Sequence, residues 1–395
     1  MGARSSCLLV LLSACGFSHG VDPGNNTIID SGLTVDVPEG FMFMDAPIDA
    51  RQCYGTFENI CLTELPTTDL VLDTNKEVNT DTGCPYVFTQ SSGQSLCGLV
   101  YTDITINARL RALGPRPLVV IATGTFKISA TGLVDVGSYK EISGPSTTEI
   151  IGAGAATGAT LCGNPSSGAN DSGMGTVGAG GGAGGSFGGK GGNGARGASN
   201  SGGNGGNASN ASATPSFMRG GCRGTSGGSG NMHQPGAGGA GGGAVYLIAG
   251  TSIDNQGHIR AGGMGGYGGD TESGGGGGGA GGMIVLDAPT ITNSGILNAN
   301  GGGAGEGGGA DSGPGPGGGS RGEQGSSALT GTGAADGGNM ETNGGNGGPG
   351  SWATASGGTT GSTAANGGGG GGGGAGVIRI YPTQTLAGTI SPDPS

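Results

Sequence analysis

The sequence predicts an all-β protein: a β-solenoid, or parallel β-helix, of stacked short rungs carrying long glycine-rich insertions, with a small disulfide-stapled cap at its amino-terminal end. Three observations predict this. Glycine supplies 103 of 395 residues, and almost all of the excess lies after residue 150. Short apolar runs recur between the glycine tracts with turn residues at fixed places. Four of the eight cysteines fall within residues 41–100, where glycine is scarce.

The repeat carries the prediction. Leu118-Val119-Val120-Ile121-Ala122 leads to Phe126-Lys127-Ile128 and then to Gly132-Leu133-Val134-Asp135. Val245-Tyr246-Leu247-Ile248 leads to Ser252-Ile253 and Gly257-His258-Ile259. Met283-Ile284-Val285-Leu286 leads to Thr290-Ile291 and Gly295-Ile296-Leu297. Val377-Ile378-Arg379-Ile380 leads to Thr385-Leu386 and Gly388-Thr389-Ile390. The second and third units align without gaps, with Val245 on Met283, Ile253 on Ile291 and Gly257 on Gly295. One such unit cannot bury its apolar face, but stacked neighbours can. The expected interior is Leu118, Val120, Ile128, Leu133, Leu247, Ile253, Ile259, Val285, Ile291, Leu297, Ile378 and Ile380.

The glycine tracts, roughly 150–243, 262–282 and 301–376, exceed ordinary loop lengths. Two states compete. Glycine loses the most backbone entropy on ordering, which argues for a flexible linker. Bundled extended three-fold helices are the alternative, because absent side chains let backbones approach and hydrogen-bond. Period-three stretches such as Gly188-Gly189-Lys190-Gly191-Gly192-Asn193 and Gly344-Gly345-Asn346-Gly347-Gly348-Pro349 favour the bundle. A strict Gly-X-Y register fails, so collagen is excluded.

The first residues read as an export signal. Cys7–Ala14 is too short to span a membrane and has the length of a signal h-region. Leu12-Ser13-Ala14-Cys15-Gly16 resembles the bacterial lipobox. That resemblance implies cleavage before Cys15, a lipid on its sulfur, and an anchor in a membrane. Gly16 supplies no inner-membrane retention signal, so the outer membrane of a Gram-negative cell is expected. Cleavage after Ser18-His19-Gly20, giving a secreted protein, is the alternative. Six further cysteines, Cys53, Cys61, Cys84, Cys97, Cys162 and Cys222, form an even set that reads as disulfides in an exported chain. Sequence order suggests Cys53–Cys61, Cys84–Cys97 and Cys162–Cys222. No spacing fits a zinc site.

The expected organisation is a signal at 1–14, a tether at 15–40, a cysteine-rich β cap at 41–100, a first rung region at 101–150, a glycine-rich insertion at 151–243, and rungs with further insertions at 244–395. Phe41-Met42-Phe43-Met44 reads as a core strand of the cap, with a membrane-touching tip as the alternative.

With Gly-Gly-Ala-Val-Tyr-Leu-Ile-Ala at 242–249 and Gly-Gly-Met-Ile-Val-Leu-Asp-Ala at 281–288, the chain resembles glycine-rich bacterial surface lipoproteins with PGRS-like repeats over about residues 117–395. The rungs are similar, more weakly, to haemagglutinin-type β-helix adhesins. The resemblance implies a surface role and brings no catalytic motif.

Chemistry is sparse. The three histidines, His19, His233 and His258, form no triad with Ser or Cys. No GxxxxGK[ST] phosphate loop occurs. Asp73, Asn75, Glu77 and Asp81 fail the EF-hand pattern because Val78 stands where glycine is required. Gly265–Asp270 echoes a calcium repeat once. Asp135, Asp254 and Asp287 are carboxylates that could in principle serve glycoside cleavage, and nothing singles them out. The net charge of −12 argues against nucleic acid. Against that background Arg219-Gly220-Gly221 reads as incidental, and Arg109, Arg111 and Arg116 read as a solvated strand face. Thr-x-Thr pairs at Thr123/Thr125, Thr290/Thr292 and Thr383/Thr385 raise ice binding without a common register. The expectation is therefore a protein without catalysis or cofactor, anchored to a membrane through Cys15. Its role is structural or adhesive, with cell-surface glycans or extracellular matrix as partners.

Overall fold

In the computed structural model the described residues are 52–395, apart from 144–145, 157–158, 172–177, 199–201, 213, 231–232, 310–332, 340–343, 354–357 and 364–365. The lipidation candidate Cys15, the signal, the tether and Phe41–Met44 lie outside them.

The apolar repeats from Leu118 to Asn298 each supply one strand to each of three sheets, and the last repeat supplies strands to two of them, because Thr385-Leu386 forms none. The first sheet takes Val377–Tyr381, Met283–Asp287, Ala244–Ala249, Leu118–Ala122, Ser95–Tyr101 and Tyr86–Thr89, in that spatial order. The second takes Thr290–Asn293, Ser252–Asn255, Thr125–Ile128, Ile104–Ile106 and Leu70–Leu72. The third takes Thr389–Ser391, Ile296–Asn298, His258–Arg260, Leu133–Asp135, Arg109–Leu113 and Lys76–Asn79. Pairing is parallel throughout except for Tyr86–Thr89 against Ser95–Tyr101. Two antiparallel pairs stand apart from these sheets, Gln52–Tyr54 with Ile60–Leu62 and Tyr139–Ser143 with Ser146–Ile150. The helix Ala159–Cys162 completes the elements.

The expectation of a single β-solenoid with glycine insertions and a separate cap is corrected by this arrangement. The described chain is a β-rich body of several sheets, parallel and mixed, with a short helix. Residues 70–101 do not form a cap, because their strands continue the same three sheets. Ser95–Tyr101, Ile104–Ile106 and Arg109–Leu113 make a full triplet that pairs residue for residue with the next one. Its arginines and short middle strand hide it in the sequence. The glycine tracts are not insertions either; they form a second packed body.

The apolar interior between the sheets contains Leu99, Val120, Leu247, Leu286 and Ile380, which stack in register. Ten of the twelve expected interior residues lie in this cluster, and Leu133 and Val285 do not. The gapless alignment of repeats slips by one residue. Ile253 does pair with Ile291, but Val245 pairs with Ile284 rather than Met283. The turn after Ile248 holds Ala249-Gly250-Thr251, where the next repeat has only Ala288-Pro289. Because side chains alternate along a strand, a one-residue slip exchanges the two faces. Val285 therefore points away from the interior and joins a second apolar cluster with Val119, Tyr246, Phe187 and Met218.

This second cluster lies on the other face of the first sheet, and the antiparallel hairpin at 52–62 supplies Ile60 and Leu62 to it. Polar bonds fix the hairpin. The buried Tyr246 hydroxyl donates to Asp287 Oδ2 at 2.6 Å and accepts from the Phe57 amide at 3.1 Å. Thr56 donates to the same carboxylate through its amide and through Oγ1. Gly55 is required at this approach: its φ is +95°, and a Cβ there would meet Tyr246 Oη at 2.5 Å. Burial, and then the Asp287 carboxylate, push the Tyr246 phenol well above its ordinary value. A raised folded-state pKa adds stability that is fully present below the unfolded value, near about 10, and is lost as pH rises beyond it. Unfolding midpoints measured from pH 8 to pH 11 should fall at the alkaline end, and Tyr246→Phe should flatten that part of the fall. An identical alkaline slope in both proteins would contradict this account.

Candidate functional site

The glycine body grows directly out of the sheets. Ala244–Ala249, Met283–Asp287 and Val377–Tyr381 are neighbours in the first sheet, and the glycine segments that lead into them are neighbours as well: Gly242 donates to Ala280, and Gly281 donates to Gly374. Adjacent strands sit about 4.7–4.9 Å apart. Only backbones without side chains between them can keep so close a spacing beyond the end of a sheet.

Segment 273–282 shows the packing rule. Gly274, Gly277 and Ala280 donate to Gly228, Thr225 and Cys222. Gly275, Gly278 and Gly281 donate to Gly368, Gly371 and Gly374, and Gly276, Gly279 and Gly282 donate to Tyr267, Met264 and Ala261. These bonds are 2.7–3.0 Å long, and their direction repeats every third residue, as in an extended helix of three residues per turn. The segment also accepts from Gly182 and Gly185, from Gly236, Gly239 and Gly242, and from Gly302, Gly305 and Gly308. Six extended segments thus surround it. The same enclosure holds for 178–187 and 366–376, and these three enclosed segments touch one another. The flexible-linker alternative fails for the described tracts.

Outer segments keep two of every three positions small and release the third to solvent. Segment 189–198 bonds to 202–211 on one side through Gly194–Gly206 and Gly197–Gly203. On the other side it accepts from 358–363 through Gly358–Lys190 and Gly361–Asn193. These three segments form an outer row. Along it Asn204, Asn207 and Asn210 are exposed, as are Lys190 and Arg196, with Asn193 half-buried between them, and Thr360 and Thr363. The repeat along each segment is about 9.3 Å. The row carries Lys190 and Arg196 and no Asp or Glu, in a chain whose net charge is −12. It is an array of amides, hydroxyls and two cations on segments whose backbones hydrogen-bond to one another.

The other candidates take structural places. Cysteines pair as Cys53–Cys61, Cys84–Cys97 and Cys162–Cys222, the pairing that sequence order suggests. Asp135, Asp254 and Asp287 lie on three different sheets and are not brought together. Asp135 is fully buried and pairs with Arg111 and with Arg260, whose Nη2 lies 2.6 Å away. The Tyr139 ring covers Arg111 at 4.2 Å. Arg111 is therefore not on a solvated face: it is 1% exposed. Burial pulls its pKa down, and the Asp135 carboxylate opposes that pull. Sequence reasoning missed the pair because its partners are 24 residues apart and meet only through strand register.

Asp73 and Asn75 turn their oxygens toward Asn107 and the Arg109 amide, so they brace adjacent triplets. Among the described residues no cluster of three or more His, Cys, Asp or Glu is arranged to hold a metal. His258 is half-buried beside Arg260, and burial and then that charge lower its pKa. The threonine pairs do not make a two-column array, since the line through Thr292 continues as Asp254 and Lys127.

No family model, curated protein or solved structure matches the chain.

Proposed function

We propose that this protein is an exported, non-enzymatic component of a cell surface, held to the envelope by a lipid on Cys15, whose glycine body displays the outer row as an adhesive face for surface glycans or extracellular matrix. The observation that carries the reading is the row itself. Its side chains project at a fixed repeat from a backbone in which neighbouring segments hydrogen-bond to one another. Such an array loses little conformational entropy on binding, which favours a repetitive hydroxyl-rich ligand. Three disulfides agree with an oxidising, extracytoplasmic setting. A purely structural coat would share the glycine body but would not need the exposed cations and amides.

The test replaces Lys190, Arg196, Asn204, Asn207 and Thr360 together with alanine and compares the variant with the parent on a glycan panel and on intact cells. The expected result is saturable binding by the parent and its loss in the variant at an unchanged unfolding midpoint. Absence of saturable binding by the parent would remove the adhesive role and leave the coat. Separately, Cys15→Ala should move the chain from the envelope fraction to the soluble fraction. A variant that still sediments with the envelope defeats the anchor.

A further inference from the structure

Arg219 begins the Arg-Gly-Gly step that leads into one of the outer glycine segments. It is 6% exposed, and its guanidinium lies over the Phe187 ring, 4.3 Å from the centroid. Its Nη1 donates to Cys222 Sγ at 3.6 Å, and sulfur is a weak acceptor. Among the described residues no carboxylate stands within ion-pair distance of it. That is unusual, because a buried cation without a counter-ion is costly. Arg111 shows the ordinary solution, with Asp135 against it. For Arg219 burial alone acts, and it pushes the guanidinium down to about 10.

Arg219 lines a pocket of about 280 Å³. A second arginine, Arg116, lines it too, together with Gln94, Ser95, Pro117 and Leu161. Arg116 is held by the carbonyl oxygens of Thr80 and Asp81, at 2.8 and 2.6 Å. The Asp81 carboxylate is 3.7 Å from Arg116 and 61% exposed, so solvent screens it. Two arginines, one of them buried and uncompensated, thus share a pocket with an amide, a hydroxyl and apolar walls. The volume lies just below the usual range of small-molecule sites, which starts at about 300 Å³. It is too small for an oligosaccharide, and the apolar walls offer a surface that a bare inorganic ion would not use.

We infer that this pocket binds a monosaccharide-sized organic anion through its carboxylate or phosphate, with Arg219 as the main charge partner and Arg116 as the second. The ligand supplies the counter-charge that the fold withholds from Arg219. Guanidinium groups suit either oxyanion because their fixed donors match two oxygens at once. The site is separate from the outer row and does not depend on it.

Calorimetric titration of the full chain tests the proposal with glucuronate, glucose 6-phosphate, inorganic phosphate and neutral glucose. The expected result is saturable binding of one or both sugar anions, weakening with salt, and none of glucose. The two sugar arms tell carboxylate from phosphate, and inorganic phosphate binding as tightly as either sugar anion would refute the role of the apolar walls. Arg219→Gln should weaken binding on the order of thirtyfold or more. Arg116→Gln, at a half-exposed position, should weaken it less and covers the case in which the Arg219 variant does not fold. Failure of both sugar anions to saturate at millimolar concentration, or undiminished binding in both variants, would overturn the proposal.

Discussion

Gly277→Ala is expected to destabilise the protein by about 3 kcal/mol or more, the upper end of what overpacking costs. A Cβ at this position would stand 1.9 Å from the carbonyl oxygen of Ala183 and 2.3 Å from its carbonyl carbon. Neither can retreat easily. The Ala183 carbonyl accepts from Thr225, and Gly277 itself donates to the Thr225 carbonyl and accepts from Gly239. Moving any of these segments stretches bonds to the next, so the strain spreads rather than relaxing at one side chain. Unfolded-chain entropy alone would predict the opposite sign, since alanine restricts the unfolded chain more than glycine does. Gly333→Ala is the matched control, because nothing lies within 4 Å of a Cβ there. Denaturant midpoints of the two variants decide the matter. Equal stability for Gly277→Ala and the parent would mean that the enclosed segments are looser than the hydrogen-bond pattern requires.

The same geometry explains how much of the architecture is legible in the sequence. Strand triplets announce themselves because apolar alternation and a turn glycine recur together, as at Ile253–Gly257 and Ile291–Gly295. Register does not, because one extra turn residue before Ser252 shifts a whole strand, and nothing in composition marks it. For the glycine body, composition alone leaves linker and bundle open. Position in the bundle is nevertheless written in the spacing of the residues that are not glycine. Segments with an outward face carry a larger residue at every third place, as Lys190, Asn193 and Arg196 do. Enclosed segments have no face to spare, which accounts for the unbroken runs at Gly274–Gly279 and Gly367–Gly374. The buried arginines show the limit of such reading. Arg111 and Arg219 look alike in sequence, and only the fold gives one a carboxylate and leaves the other beside a pocket.

Removing the Cys162–Cys222 bridge, by Cys162→Ser with Cys222→Ser, is expected to cost about 4 kcal/mol in the chain-entropy model. The bond closes a loop with a sequence separation of 60, compared with 8 for Cys53–Cys61. Cys53 and Cys61 also face each other directly in an antiparallel pair, so their bond constrains residues already held together. The long loop is different in kind. It contains the enclosed segment 178–187 and two of the three segments of the outer row, and it is rich in glycine, whose unfolded freedom is greatest. Cys222 anchors the far end, with its carbonyl accepting from Ala280 of another enclosed segment. Losing the bridge should therefore lower the denaturant midpoint more than the Cys53→Ser, Cys61→Ser pair does. Amide exchange should accelerate first in residues 178–211, before the three sheets open. If exchange instead rises uniformly, the two bodies unfold as one unit and the bridge acts on the whole chain. If the midpoint does not move, residual structure already confines the loop in the unfolded chain and the bridge adds no further constraint there. A face that depends on a disulfide for its order would be lost under reducing conditions while the sheets persist, which ties the proposed adhesive role to an oxidising surface.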